Sequence, residues 1–135
     1  MTKPLRAFGL QFVVGVLALV APAALAADPE PPKSYAQCAG CHAHQQGAAD
    51  SNGPNLYGVF GRRVGTAEGY AYSPQARRAG FDWNEERLRA LIKDPKGYKK
   101  YLRKAFHAWK PAAVKTLEGE VIPFLRQISP AGAAK

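Results

Sequence analysis

Methionine is almost missing from this chain of 135 residues: the only one is Met1. A domain that sheds its N-terminus therefore has no thioether sulphur to offer a metal. Cysteine is scarce as well, with Cys38 and Cys41 alone. A zinc site built on them lacks its second ligand pair. No alternating apolar–polar run of useful length is present, which speaks against a half-buried sheet. Internal repeats are absent, and there is no low-complexity tract beyond the first residues. Charge is missing altogether from Ala7 to Ala27.

That uncharged run has a direction. Lys3 and Arg6 precede it, Phe12 to Val20 form its apolar heart, and Ala24-Leu25-Ala26 closes it with a small-x-small pattern. This is the layout of a secretory signal peptide over 1–26, cut after Ala26, with 109 residues remaining. The competing reading is an uncleaved membrane anchor, because the run just reaches spanning length. Pro22 and the alanine-rich end favour cleavage. Either outcome places the folded part outside a bacterial inner membrane, in the periplasm. The mature chain is one small domain with a thin core.

Cys38-Ala39-Gly40-Cys41-His42 is the most informative stretch. On one helical turn the two thiols share a face and His42 follows on that side. A C-x-x-C-H run reads as the attachment site of one c-type haem, with Cys38 and Cys41 forming thioethers and His42 ligating the iron. A thioredoxin-like pair would need an α/β pattern around it, which is not found. In an oxidising compartment a disulfide is the other rival, but here the cysteines are spent on thioethers.

Asp28-Pro29-Glu30-Pro31-Pro32 resists helix, so 27–32 reads as a linker and 33–135 as the domain. A helix from Pro32 or Lys33 carries the motif. An irregular glycine-rich stretch follows from Gly47 to Gly69. Ser73-Pro74 predicts an N-cap and first helical residue, with the helix reaching Arg78. Asn84 caps a helix over Glu85–Lys93, whose Leu88, Leu91 and Ile92 form an apolar stripe. Asp94-Pro95 predicts a further short helix through Tyr101. Leu117, Val121, Phe124, Leu125 and Ile128 are helically spaced, with Pro123 expected to kink or shorten that element.

From Tyr35 to Phe106 the chain resembles class I cytochromes c of the mitochondrial type and their bacterial relatives. The resemblance rests on the haem motif, on Gly53-Pro54-Asn55-Leu56-Tyr57-Gly58-Val59-Phe60-Gly61-Arg62, and on Gly65-Thr66-Ala67-Glu68-Gly69-Tyr70. Tyr72-Ser73, Trp83, Asp94-Pro95-Lys96 and Tyr98 extend it. It implies an all-α, single-domain cytochrome c fold of about four to five helices around one covalent haem. It also implies that the Pro54 carbonyl accepts from the His42 ring, and that Arg62, Tyr72 and Trp83 surround a haem propionate. The bland alternatives are a plain core role for Trp83 and a solvated loop charge for Arg62.

The departures lie on the distal side. Family members carry a methionine before Ala-Phe as second iron ligand, and Lys104 stands in that slot here. Leu91 replaces a usual tyrosine, Ala76 an asparagine, and Lys100-Tyr101-Leu102 a Pro-Gly-Thr. Three readings follow. Lys104 ligates the iron, although its amine must first lose a proton from a pKa of ~10.4, which costs about 4–5 kcal/mol at neutral pH. His107 ligates instead, after the loop slips by three residues. Or the site stays open behind Leu91 and Leu102. Lys104 is the favoured expectation and His107 the second. His44 reads as a surface histidine.

The first two readings give a one-electron carrier that is not an enzyme; the open site would give a binder or sensor of small gases, or a weak peroxidase. The chain carries a net charge of +9, or +7 without Lys3 and Arg6. Nucleic acid is excluded by the compartment, and a membrane matters only if the signal is retained. Lys93, Lys96, Lys99, Lys100, Arg103, Lys104 and Lys110 face a single acid, Asp94, between Lys93 and Lys110. That segment reads as the docking ring of a monomer for an acidic redox-partner protein, with an ordinary solvated face as the alternative.

Overall fold

The computed structural model describes residues 28–102, 107 and 109–131. The expected signal peptide, its cleavage site and Lys104 lie outside the described residues. The described elements are helical, and a single isolated bridge, Arg63 to Asp82, is the only β-type pairing among them.

A short 3-10 turn, Lys33–Tyr35, runs into α1, Ala36–Ala39. The Cys38 carbonyl accepts from both Cys41 N–H (3.0 Å) and His42 N–H (2.9 Å), so the haem motif continues the turn past the helix end. Helix α2, Pro74–Arg77, starts where Ser73 Oγ accepts from Ala76 N–H at 3.1 Å. Helix α3, Glu85–Lys93, starts where Asn84 Oδ1 accepts from Arg87 N–H at 2.9 Å. Each cap satisfies a backbone donor that the first helical turn would otherwise leave free.

One expectation fails locally. Residues 95–101 form successive turns and no helix, with i→i+3 bonds such as Tyr101 N–H to Tyr98 carbonyl at 2.8 Å. Gly97 weakens a segment already too short to offset helix nucleation. The C-terminal helix, by contrast, is not broken by Pro123. It runs as α4, Pro111–Thr116, a π-helical turn, Leu117–Val121, and α5, Ile122–Gln127. Proline lacks an N–H and crowds the carbonyl four residues back. The wider turn just before it absorbs that mismatch, so the helix continues.

This C-terminal element supplies much of the core. Leu117, Val121, Ile122, Phe124, Leu125 and Ile128 are all buried, each contributing on the order of 1.5–3 kcal/mol. Tyr35 from the N-terminal turn packs edge-on against Phe124 (5.2 Å between ring centroids), and Ser34 donates to Glu120 at 2.7 Å. His44 is partly buried, edge-on to Tyr35 at 5.1 Å and to Phe124 at 5.6 Å. It is therefore a packing residue of this seam and not a free surface histidine.

Candidate functional site

The helices and the irregular stretch after the C-x-x-C-H motif enclose a cavity of about 470 Å³, within the size range of small-molecule and cofactor sites. Its rim carries Cys38, Cys41 and His42; Arg62, Tyr72 and Trp83 form another wall. Leu117, Val121 and Leu125 close it from the C-terminal helix, and Leu91, Leu102 and His107 lie on the remaining side. The lining is predominantly apolar, as a large flat hydrophobic group requires.

Local sequence explains how each polar group is aimed. The His42 Nδ1 lies 2.7 Å from the Pro54 carbonyl oxygen. A carbonyl only accepts, so Nδ1 carries the proton and Nε2 keeps its lone pair for a metal. Burial is the main influence on this imidazole and lowers its pKa, partly opposed by the Pro54 bond, while nearby Arg62 lowers it further. Gly53 makes the approach possible: a Cβ there would lie 2.7 Å from Nδ1 and 2.8 Å from Nε2. The loop is held in place by Asn55, whose side chain donates to the carbonyls of Gln45 (2.8 Å) and Ala48 (2.9 Å).

Both thiols are free, Cys38 partly buried and Cys41 exposed. Burial, then the neighbouring Cys41, pushes the Cys38 thiol up to about 11, so at neutral pH it stays a neutral thiol. Arg62 is buried at 8% exposure and donates to the Tyr57 carbonyl at 3.1 Å. No carboxylate lies within ion-pair distance of it among the described residues. Burial pulls its pKa down, with Tyr72 and Asp50 acting the other way. A buried guanidinium without a counter-ion fits an anionic group entering the cavity. Trp83 lies beside it, stacked on Tyr98 at 5.8 Å.

On the distal side, the buried Nδ1 of His107 has no hydrogen-bond partner among the described residues. Burial, followed by His42, lowers the pKa of this histidine too. The structure thus brings together six of the expected residues, Cys38, Cys41, His42, Arg62, Tyr72 and Trp83, with Pro54 behind the imidazole. Lys104 lies outside the described residues. Sequence reasoning gave no site role to Tyr70 or to the C-terminal wall. The spacing of four between Leu117, Val121 and Leu125 was the available signal.

Helical described elements, with two thiols and a free imidazole nitrogen lining a largely apolar cavity, define a mono-haem protein of the covalent type. No protein-family model matches the chain. It is 45% identical over 89 residues to cytochrome c2 of Blastochloris viridis, covering 66% of this chain and 68% of that protein. Against cytochrome c of Cochliobolus lunatus it is 33% identical over 91 residues, covering 67% and 82%. The solved structure of cytochrome c2 from Rhodospirillum centenum matches with a TM-score of 0.56 at 30% identity, over 72% of this chain and 93% of that one. Cytochrome cH from Methylobacterium extorquens follows at a TM-score of 0.54 and 30% identity, over 70% and 91%. The chain belongs to the class I c-type cytochromes. It carries one haem c attached through Cys38 and Cys41, and it is an electron carrier rather than an enzyme.

Proposed function

We propose that this cytochrome is exported, loses residues 1–26, and works in the periplasm as a soluble monomeric carrier whose distal iron ligand is not methionine. Bound haem supplies the Fe(III)/Fe(II) couple that takes up and releases one electron. The chain's own groups set the conditions for that. His42, oriented by Pro54, offers the proximal nitrogen. Arg62, with Tyr72 and Trp83, neutralises and shields a propionate. The absence of any methionine beyond Met1 carries the ligation part of this reading. No helix among the described residues is long and apolar enough to cross a membrane.

The docking part rests on the surface next to the cavity. Lys96, Lys99 and Lys100 are exposed and adjoin Tyr101 and Leu102, which line the cavity. Lys93 is exposed as well, but it sits 3.2 Å from Glu118 and is partly neutralised. A cluster of one sign beside the cofactor attracts an acidic redox protein and orients it. Stopped-flow reduction by an acidic one-electron donor protein tests this. The rate should fall about tenfold or more between low and physiological salt, where the Debye length shrinks to about 8 Å. Replacing Lys96, Lys99 and Lys100 by glutamate should lower it at low salt and flatten the salt dependence. Rates indifferent to both changes would leave these lysines as a solvated face.

A further inference from the structure

The His42 and His107 rings both line the cavity, with centroids 6.0 Å apart and planes inclined by 36°. An iron held at about 2 Å from one nitrogen of each ring places the centroids roughly 6 Å apart. The spacing is therefore that of two imidazoles sharing one metal. We infer that His107 is the sixth ligand, making this a bis-histidine cytochrome; the inference rests on the covalent-haem carrier reading above.

Three observations converge on it. The His107 Nδ1 is buried with no hydrogen-bond partner among the described residues. A buried nitrogen left without a partner is unfavourable, which a metal bound there would relieve. The ring is braced edge-on by Trp109 at 5.3 Å, which gives the imidazole a defined orientation. The chain has three histidines, and His44 is packed between Tyr35 and Phe124 on the other side of the N-terminal turn. Leu91 and Leu102, which line the cavity with His107, offer no donor atom.

With haem bound, His107 would supply a ring-nitrogen lone pair to the iron in the place that water would otherwise take. A neutral imidazole has no proton to lose at pH 7, whereas a lysine amine does. Replacing a thioether by a second nitrogen favours ferric iron, so the reduction potential should lie below that of a Met/His cytochrome.

Selective nitrogen-15 labelling of the ferric holoprotein tests this by pulsed electron paramagnetic resonance. The expected result is a low-spin signal in which histidine labelling alters the couplings of both axial nitrogens and lysine labelling alters neither. His107→Ala should lose the low-spin signal and regain it with added imidazole. If that variant fails to load haem, the labelling result on the wild-type protein decides alone. An axial coupling that responds to labelled lysine overturns the histidine assignment and leaves a non-sulphur carrier intact. A high-spin wild-type protein that binds carbon monoxide readily when reduced overturns both.

Discussion

Gly53→Ala is the smallest change that should disturb the haem ligand without replacing it. The new Cβ would sit 2.7 Å from His42 Nδ1 and 2.8 Å from Nε2, and closer still to the carbon between them. Such atoms pack at about 3.5–4.0 Å, so the ring must retreat by roughly 1 Å or the loop must lift. Either movement breaks the 2.7 Å bond from Nδ1 to the Pro54 carbonyl. Overpacking of this kind costs about 1–3 kcal/mol, and the lost hydrogen bond about 0.5–1.5 kcal/mol. The expected destabilisation is about 2–4 kcal/mol, read as a lower guanidinium midpoint of the holoprotein. The optical spectrum should change as well, because the imidazole is no longer held in one orientation. A variant with the wild-type midpoint and an unchanged spectrum would refute the close approach of the Gly53 backbone to the ring.

Gly65→Ala should destabilise by a similar amount through a different cause. Residue 65 has φ +82°, and its Cβ would lie 2.8 Å from the Ala76 backbone; a thermal melt as high as the wild type would contradict this. Glu85 tests the surface electrostatics. Hydrogen bonds from Arg89 and then Arg126 hold its carboxyl below the usual range. A carboxyl depressed in the folded state stabilises above its unfolded pKa of ~4.3, and that contribution is lost as the pH falls through the folded value. Melting curves of Glu85→Gln should therefore lie below the wild type at neutral pH and converge with it at acid pH. A gap that widened on acidification would reverse the sign of the argument.

What could be read in advance depended on whether one residue type carried the information. Asn84 and Ser73-Pro74 announce their helix starts because a side-chain cap and a proline at the first turn each have one structural use. The cavity rim was legible for the same reason: Cys38, Cys41 and His42 have chemistry that few arrangements can employ. The continuation of the C-terminal helix through Pro123 was not legible, since a π-helical turn depends on how the flanking residues pack. The Asp94-Pro95 start signal also overstated 95–101, where Asp94 Oδ1 accepts from the Gly97 N–H at 3.4 Å and a chain of turns suffices. His44 and His107 are the sharpest contrast. The sequence put His107 three residues beyond the ligand slot but not its ring 6.0 Å from that of His42, and it gave no sign that His44 packs against Tyr35; the three-dimensional arrangement shows both.

The central claim is covalent attachment of one haem through both cysteines. Mass spectrometry of the denatured protein after acid–acetone extraction measures it directly. The account predicts one species, the chain from residue 27 onward plus one intact haem, reduced to single-thioether attachment in Cys38→Ala and in Cys41→Ala. Haem released into the acetone with the bare polypeptide left behind would contradict it.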